Sequence, residues 1–363
     1  MYQDDFLQKK LDDRIALNSL RVLPEYTENL VDFSSNDYLG LATNHLTINN
    51  FKDLLHGSKG SRLLSGNYPL VEKAEFQIAE FHKAESGLIF NSGYDANVGL
   101  LSCIANRFDT ILYDEYCHAS IRDGIQLSYA KSHSFRHNDM TELKKKLTRV
   151  TGTVFIVTES IFSMDGDTCP LKELVELAEK YRANIILDEA HATGVIGEHG
   201  EGLAQHLKLQ DKIFARIHTF GKACGTHGAI VLGSERLKSF LINFARSFIY
   251  TTAIPETAVF NIIQSYKIFP SLKKEREILN QYIQLFQSSN LRYPKLKSFS
   301  PIQGVLIPGN EAIKEVSLLL RENKLDVRPI LYPTVARGSE RLRIVLHSFN
   351  TSTELNTLIS LLS

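Results

Sequence analysis

Lys222 has the surroundings in this sequence that most suggest chemistry. It lies in the segment Thr219-Phe220-Gly221-Lys222-Ala223-Cys224-Gly225, among mostly small side chains. A lysine ammonium group loses its proton more readily when it is withdrawn from water, and the neutral amine can condense with an aldehyde to form a Schiff base. One such lysine is weak evidence, because most lysines only solvate a surface. The interpretation therefore depends on the other elements of the chain.

Asp188 and His191 are the polar residues that would complete such chemistry. Asp188 ends the apolar run 185–187, where an unpaired carboxylate is costly. A protonated pyridine nitrogen would pair with it, and the protonated ring of pyridoxal 5'-phosphate is an electron sink for a carbanion on an attached substrate. His191 could bind the phenolic oxygen of that ring, or it could be a helix-start histidine satisfied by the backbone.

Short apolar runs alternate with helical periodicity between about residues 87 and 235. The runs are residues 87–90, 110–113, 154–157, 185–187 and 229–232. This alternation predicts a mostly parallel sheet with helices on both faces, a three-layer α/β/α arrangement. Ligands of such sheets lie beyond the carboxyl ends of the strands, and polar residues follow four of these runs, at 91–94, 114–118, 158–160 and 188–191.

The periodicity changes along the chain and predicts three parts. Residues 1–35 are expected to form a helix, over residues 4–20, and an extended arm. Residues 36–250 would be a large cofactor-binding domain. Longer helical patterns at 237–248, 255–269 and 272–286 precede a mixed segment, so residues 251–363 are predicted to contain a smaller C-terminal α+β domain.

A phosphate seat is predicted where the first of these strands meets the next helix, around Gly93. Backbone N–H groups at a helix N-terminus bind phosphate, and Thr219, Thr251 and Thr252 could add hydroxyl groups. Tyr94 or His118 could stack on the ring face. The simpler alternatives are a tight connection at Gly93 and ordinary aromatic packing.

Composition narrows the partners of the protein. Lys plus Arg and Asp plus Glu both total 41, which gives no reason to expect nucleic acid or an anionic membrane. The polar N-terminus and the absence of a long apolar run predict a cytoplasmic protein. The four cysteines lack zinc-site pairing, so we expect reduced structural thiols and no metal site.

Two other enzyme classes fit the motifs less well. Asp188-Glu189-Ala190-His191 also occurs in some helicases, but the phosphate loop that such enzymes need is missing around Gly221-Lys222. Asp114, His118 and Ser120 could suggest a hydrolase. No Gly-x-Ser-x-Gly elbow follows a predicted strand, and that interpretation leaves Lys222 without a role.

Six ordered motifs resemble one family over nearly the whole chain. The sequence resembles the α-oxoamine synthases, pyridoxal phosphate enzymes of fold type I. The motifs are Phe33-Ser34-Ser35-Asn36-Asp37-Tyr38-Leu39-Gly40-Leu41, Gly60-Ser61-Arg62-Leu63-Leu64-Ser65-Gly66, Phe90-Asn91-Ser92-Gly93-Tyr94, Phe162-Ser163-Met164-Asp165-Gly166-Asp167, Asp188-Glu189-Ala190-His191 and Thr219-Phe220-Gly221-Lys222.

The resemblance implies a role for each matching residue. Lys222 would carry the cofactor and act as the base, with Asp188 on the ring nitrogen and His118 stacked on the ring as the other catalytic residues. His191 and Ser163 would contact the ring. The phosphate would be held by Gly93, Tyr94 and Thr219, joined by Thr251 or Thr252 from the second chain of a homodimer. The implied substrate-binding residues are Arg21, Asn36, Ser61, Thr334 and Arg343, of which Arg343 would receive the amino acid carboxylate.

The resemblance also implies a reaction. It is closest to family members that condense L-alanine with a pimeloyl thioester, on acyl carrier protein or coenzyme A, to give 8-amino-7-oxononanoate, carbon dioxide and the free thiol in biotin synthesis. Ser61, where glycine-specific relatives typically carry threonine, favours alanine. Leu331 stands where several relatives have arginine. The alternatives are a sister enzyme such as glycine C-acetyltransferase or a serine palmitoyltransferase-like enzyme, and a catalytically silent partner subunit.

Overall fold

The computed structural model describes residues 4–23, 29–43 and 54–363, and the chain divides into two compact units. The smaller unit comprises Met1–Asn36, Met164–Asp167 and Glu277–Ser363, and the larger comprises Asp37–Ser163 and Thr168–Arg276. This division differs from the predicted one, because residues 251–276 group with the larger unit and the N-terminal arm groups with the C-terminal segment. Residues 1–3 and 24–28 of the predicted helix and arm lie outside the described residues.

The strands of the described residues are short, mostly of five or six residues. They are β1 (Val31–Asp32), β2 (Ser86–Phe90), β3 (Thr110–Asp114), β4 (Lys131–Phe135), β5 (Val154–Glu159), β6 (Asn184–Asp188), β7 (Ala215–Thr219), β8 (Ala229–Gly233), β9 (Ile302–Leu306), β10 (Leu325–Asp326), β11 (Arg328–Ile330) and β12 (Arg341–Val345).

The helices range from a single turn to four turns. They are α1 (Gln8–Ala16), α2 (Pro69–Phe81), α3 (Gly93–Ile104), α4 (Ala119–Gln126), α5 (Met140–Leu147), α6 (Leu171–Tyr181), α7 (Leu203–His206), α8 (Glu235–Phe244), α9 (Arg246–Ile249), α10 (Glu256–Ile268), α11 (Lys273–Ser288), α12 (Asn310–Glu322) and α13 (Ser352–Leu362). Short 3₁₀ turns occur at Asp5–Leu7, Gln210–Lys212 and Phe269–Ser271.

A seven-stranded sheet organises the larger unit. Its strand order is β2-β8-β7-β6-β5-β3-β4, and β8 alone among these strands runs antiparallel to its neighbours. Every residue of β5 is buried. Because successive side chains of a strand point to opposite faces, both faces of the sheet are covered, which confirms the predicted three-layer α/β/α fold.

The smaller unit contains the remaining strands. β9, β12 and β11 form an antiparallel sheet, while β1 pairs in parallel with β10. The pairing of Val31 with Leu325 and the hydrogen bond from Val345 N to Phe33 O bring the N-terminal arm to the C-terminal segment. These long-range contacts explain why the arm is not a separate part of the fold.

The predicted helices differ from the observed ones mainly at their ends. The predicted helix over residues 4–20 is a 3₁₀ turn followed by α1, which ends at Ala16. The predicted helix over residues 237–248 is interrupted at Ala245, whose extended backbone separates α8 from α9. In the part of the chain that the structure describes, no helix is long and apolar enough to cross a membrane.

The four cysteines form no disulfide, and three of them are buried. Burial raises the pKa of the Cys103 thiol to about 12 and that of Cys224 to about 12. Burial also raises the pKa of Cys117 well above its ordinary value, helped by the nearby carboxyl groups of Glu159 and Asp114. These thiols therefore stay protonated at neutral pH.

Candidate active site

Polar side chains of the larger unit converge at one edge of its sheet. Since β2, β3, β5, β6 and β7 run in the same direction, their carboxyl ends share this edge. The polar residues at or just after these ends are Asn91, Asp114, Glu159, Asp188 and Thr219. Strand direction thus gathers groups that are far apart in the sequence, as the general rule for open α/β sheets requires.

Lys222 belongs to a chain of three hydrogen-bonded side chains. Its Nζ atom lies 2.8 Å from His191 Nε2, and His191 Nδ1 lies 2.6 Å from the hydroxyl oxygen of Tyr38. Tyr38 is fully buried and His191 is nearly so, whereas Lys222 is half-buried. The amine is therefore held by its neighbours and remains within reach of a small molecule.

Asp188 lies at the end of β6 as a buried carboxylate. Its Oδ2 accepts a hydrogen bond from Asn97 Nδ2 at 2.8 Å, and its Oδ1 accepts one from the backbone N–H of Ala190 at 2.9 Å. No lysine or arginine among the described residues lies within ion-pair distance of it. A buried carboxylate held by neutral donors could pair with one cation, such as a protonated pyridine nitrogen.

His118 caps the N-terminus of α4 and keeps an exposed face. Its Nδ1 lies 2.8 Å from Ser120 Oγ, and its backbone N–H donates to Glu159 Oε1 at 2.5 Å. Partial burial lowers the pKa of His118; Lys222 lowers it further and Asp188 opposes them. The ring is therefore neutral at pH 7, and a neutral, partly exposed imidazole suits stacking on an aromatic cofactor.

Glu159 is a second buried carboxyl group beside Asp188. The two residues are direct neighbours in the pairing of β5 with β6. Burial raises the pKa of Glu159 to about 8, and the charge of Asp188 contributes in the same direction. The Glu159 carboxyl group therefore stays protonated at neutral pH.

The predicted phosphate seat lies at the start of α3. Ser92 caps this helix by accepting from the backbone N–H of Asp95, and a β-carbon at position 93 would lie 3.5 Å from Thr219 Oγ1. Gly93 and Thr219 therefore border the same small space. The Tyr94 hydroxyl hydrogen-bonds Asp123, and the side chain is half exposed.

The two remaining threonines lie against Asn91. Asn91 Nδ2 donates to Thr251 Oγ1 at 3.1 Å and to the backbone carbonyl of Thr252 at 2.8 Å. The segment after α9 is thereby tied to the segment before α3. Thr252 is exposed, and Thr251 is half-buried.

Ser61 and Ser163 complete the predicted residues of the larger unit. The Ser61 carbonyl accepts from the backbone N–H groups of Leu64 at 3.1 Å and Gly66 at 2.9 Å, which closes a turn. Ser61 and Ser163 are both half-buried.

Two pairs of predicted residues are in contact within the smaller unit. Arg343 Nη2 donates to Asn36 Oδ1 at 2.9 Å, and Arg21 Nη2 donates to Thr334 Oγ1 at 3.0 Å. Arg21 and Thr334 are exposed, and Arg343 is half-buried on β12. The Leu331 carbonyl accepts from the backbone N–H of Thr334 at 2.8 Å and so shapes the turn that carries this threonine.

Three residues of this edge had no assigned role in the sequence analysis. Tyr38, Asn97 and Glu159 contact His191, Asp188 and His118, respectively. Glu159 belongs to the polar segment that follows the apolar run 154–157, so its position indicated that it could lie at this edge of the sheet. Asn97 lies inside a helix and Tyr38 lies 153 residues before His191, so no local pattern pointed to their partners.

The fold and this edge define a class of protein. The chain belongs to the family of class I and II aminotransferases, whose model matches residues 28–362. This finding confirms the pyridoxal phosphate-enzyme family expected from the motifs.

Within that class the relatives share one name. The 8-amino-7-oxononanoate synthase of Emericella nidulans is 39% identical, over 97% of this chain and 92% of that protein. The enzyme of the same name from Lysinibacillus sphaericus is 39% identical, over 90% of this chain and 86% of that protein. The chain therefore spans most of the length of these relatives.

Solved structures agree with this relationship. An 8-amino-7-oxononanoate synthase from Francisella tularensis superposes with a TM-score of 0.80 at 30% identity, over 93% of this chain and 97% of that one. Serine palmitoyltransferase from Sphingomonas wittichii has a TM-score of 0.89 at 25% identity, over 100% of this chain and 97% of that one. The fold is thus shared by an 8-amino-7-oxononanoate synthase and a serine palmitoyltransferase.

Proposed function

We propose that this protein condenses L-alanine with a pimeloyl thioester to give 8-amino-7-oxononanoate, carbon dioxide and the free thiol, with pyridoxal 5'-phosphate as cofactor. The name shared by the relatives supports the reaction. The observation that supports the cofactor assignment most strongly is that the Lys222 amine, the buried Asp188 carboxylate and the start of α3 come together within one unit.

Each of these residues has a part in holding the cofactor. Lys222 would bind it through its amine, Asp188 would pair with its ring nitrogen, and Gly93 and Thr219 would border its phosphate. When bound, pyridoxal phosphate supplies an electron sink for negative charge on the α-carbon of an amino acid. The neutral His118 would cover the ring face without adding a charge beside it.

Lys222 is also the base of the proposed reaction. Its amine takes the proton from the α-carbon of alanine. In the protein without cofactor this amine lies 2.8 Å from His191 Nε2. The α-carbon then forms a bond to the thioester carbonyl carbon, and the thiol leaves. The alanine carboxyl group is lost as carbon dioxide, and a proton returns to the α-carbon.

The other predicted residues would recognise the substrates. Arg343 would bind the alanine carboxylate, because a planar guanidinium group donates two parallel hydrogen bonds to a carboxylate. Asn36 orients Arg343 through the hydrogen bond between them. Arg21 and Thr334, which contact each other, would face the acyl thioester, and Leu331 would contribute an apolar surface there.

The experiment that tests this function is a carbon dioxide release assay. The purified protein is given alanine, glycine or serine together with pimeloyl, acetyl, succinyl or palmitoyl thioesters on coenzyme A or acyl carrier protein. The expected result is selective turnover of alanine with the pimeloyl thioester. Equal turnover of glycine with acetyl-coenzyme A would replace the proposal with a sister activity.

We further propose a cytoplasmic homodimer whose sites use residues of both chains. The exposed Thr252 and the neighbouring Thr251 would reach the phosphate bound by the second copy. Substitution of both threonines by valine should weaken cofactor binding if this is correct. Unchanged cofactor affinity would contradict the assignment of these two residues.

A further inference from the structure

The hydrogen bond between Tyr38 and His191 has a chemical consequence beyond packing. A neutral imidazole ring carries one donor and one acceptor, so the group that faces Nε2 decides what Nδ1 must do. His191 Nε2 faces the Lys222 amine at 2.8 Å, and Nδ1 faces the Tyr38 hydroxyl at 2.6 Å. Both the tyrosine and the histidine are buried, so water does not freely replace either partner.

The proposed function, on which this inference rests, together with a contact from His191 to the phenolic oxygen of the cofactor, would place two different groups at Nε2 in turn. An ammonium group only donates hydrogen bonds, so opposite Lys222 as an ammonium group Nε2 accepts and the proton lies on Nδ1. The ionised phenolic oxygen of pyridoxal phosphate would only accept, so with cofactor the proton would lie on Nε2. The two states of the protein require opposite tautomers of the same ring.

A hydroxyl group is the partner that satisfies Nδ1 in both states. It accepts from Nδ1–H in one tautomer, and in the other it rotates and donates to Nδ1. A backbone carbonyl would only accept. We propose that Tyr38 is a positioning residue that reverses its hydrogen bond and so lets His191 serve first the Lys222 ammonium group and then the cofactor.

Another histidine of the same unit shows the contrasting arrangement. His82 Nδ1 faces the backbone carbonyl of Glu201 at 3.1 Å, and its Nε2 faces the Tyr266 hydroxyl at 2.9 Å. The carbonyl fixes the proton on Nδ1, so His82 has one tautomer whatever else changes. Its pairing with a tyrosine makes it an internal reference for the behaviour of His191.

Nitrogen NMR of the protein labelled with ¹⁵N in its histidine rings tests the proposal directly. The His191 signals are assigned by their loss in His191→Asn. At pH 7 the proton of His191 should lie on Nδ1 without cofactor and on Nε2 after saturation with pyridoxal phosphate, while His82 keeps the proton on Nδ1 in both samples. The same His191 tautomer in both samples would overturn the proposal.

A double-mutant cycle tests whether Tyr38 acts through His191. Tyr38→Phe should weaken equilibrium binding of pyridoxal phosphate about tenfold, the value of one hydrogen bond in an equilibrium constant. In the His191→Asn background, Tyr38→Phe should change the affinity no further. Tyr266→Phe, which also removes a hydroxyl from a buried histidine, is the matched control and should leave the affinity unchanged.

The outcomes separate this proposal from the proposed function. An equal effect of Tyr38→Phe with and without His191, or no effect at all, would overturn the positioning role even if alanine is condensed normally. If Tyr38→Phe does not fold, the NMR comparison of the wild-type protein decides. If the protein binds pyridoxal phosphate but fails in the condensation assay, the function falls and the role of Tyr38 stands. Failure of the wild-type protein to bind the cofactor would overturn both.

Discussion

Two hydrogen-bonded clusters in the larger unit are built around buried histidines, and they differ in the groups to which the histidines are bonded. In the first, the Lys222 cluster of Tyr38, His191 and Lys222, the chain of hydrogen bonds ends on a primary amine. In the second, the His82 cluster of His82, His218 and Tyr266, the histidine rings lie 3.9 Å apart and their partners are a backbone carbonyl and hydroxyl groups.

The histidines of the His82 cluster have strongly lowered pKa values. Burial lowers the pKa of His82 and of His218 well below the ordinary value, and the nearby charge of Arg216 acts in the same direction. A shifted pKa in a buried cluster is often used to find active sites. In this protein the shifted pKa values belong to structural histidines. The Lys222 cluster is recognised instead because Asp188, His118 and the start of α3 lie at the same edge of the sheet.

The largest effect that would test this contrast is expected at Lys222. Lys222→Ala removes both the attachment point and the base, so the visible absorption of bound cofactor should disappear and kcat should fall about a thousandfold or more. The spectrum of the purified protein and a carbon dioxide release assay measure the two effects. Lys212→Ala, which removes a surface lysine paired with Glu179, is the control and should change neither.

The next effect is expected at Asp188, the carboxylate beside the Lys222 cluster. Asp188→Asn keeps the shape and a carbonyl acceptor for Asn97 but removes the charge, so kcat should fall by about two orders of magnitude. The kcat at saturating cofactor is the measurement. Activity within a fewfold of wild type would remove Asp188 from the proposed site.

A stability effect is expected at Glu159. Its pKa of about 8 exceeds the value of 4.5 for an unperturbed glutamate, so between these pH values the folded protein binds more protons than the unfolded chain. Folded stability should therefore fall as pH rises through this window. In urea unfolding of the cofactor-free protein, wild type should lose roughly 2–3 kcal/mol more than Glu159→Gln between pH 5.5 and pH 8.

Glu142→Gln is the control for that measurement. A backbone hydrogen bond from Arg136 is the main reason why the pKa of Glu142 is lowered to about 2. This carboxylate is already ionised in both states above pH 5.5, so its removal should not alter the pH dependence. Identical slopes for wild type and Glu159→Gln would show that Glu159 is ionised in the fold.

The smallest effect is expected in the His82 cluster and has the opposite sign. Because the pKa of buried His82 and His218 is lowered, the unfolded chain takes up protons below about pH 6.5 that the folded protein does not, and stability falls as pH drops. Between pH 6.5 and pH 5.5 each histidine contributes about 1 kcal/mol, because the unfolded histidine is already half protonated at pH 6.5. When the free energy of unfolding is measured in urea at pH 6.5 and at pH 5.5, His82→Gln should lose less stability between the two pH values than wild type, by the contribution of one histidine.

Cofactor colour makes this last variant a test of the comparison itself. The His82→Gln protein should bind pyridoxal phosphate at pH 7.5 as wild type does, because none of its described contacts reaches Lys222. If the colour is lost from a folded His82→Gln protein, the distinction between the two clusters is wrong.

The sequence predicts the buried strands well and the polar ones poorly. β5 and β6 are continuous apolar runs and were predicted. β4 (Lys131–Phe135) is mostly exposed at the sheet edge and lacks an apolar run. β7 (Ala215–Thr219) contains the buried polar residues Arg216 and His218. Neither strand was predicted, because neither is a continuous apolar run. Side chains buried with polar partners cannot be recognised before those partners are known.

The predicted site shows the same division. Asp188, His191 and His118 lie in or beside motifs that follow apolar strands, whereas Lys222 follows the polar strand β7. The structure brings all four to one edge of the sheet. Tyr38 contributes through a contact across 153 residues, which no local spacing encodes. Sequence reasoning therefore finds groups that carry chemistry more readily than groups that orient them.

The protonated cysteine thiols have a practical consequence for measuring the proposed reaction. Chromogenic disulfide reagents react with thiolates and would detect the thiol that the acyl carrier releases in each turnover. With Cys103, Cys117 and Cys224 held as thiols by burial, the enzyme itself should contribute little background. A continuous colorimetric assay would then follow turnover without a coupling enzyme.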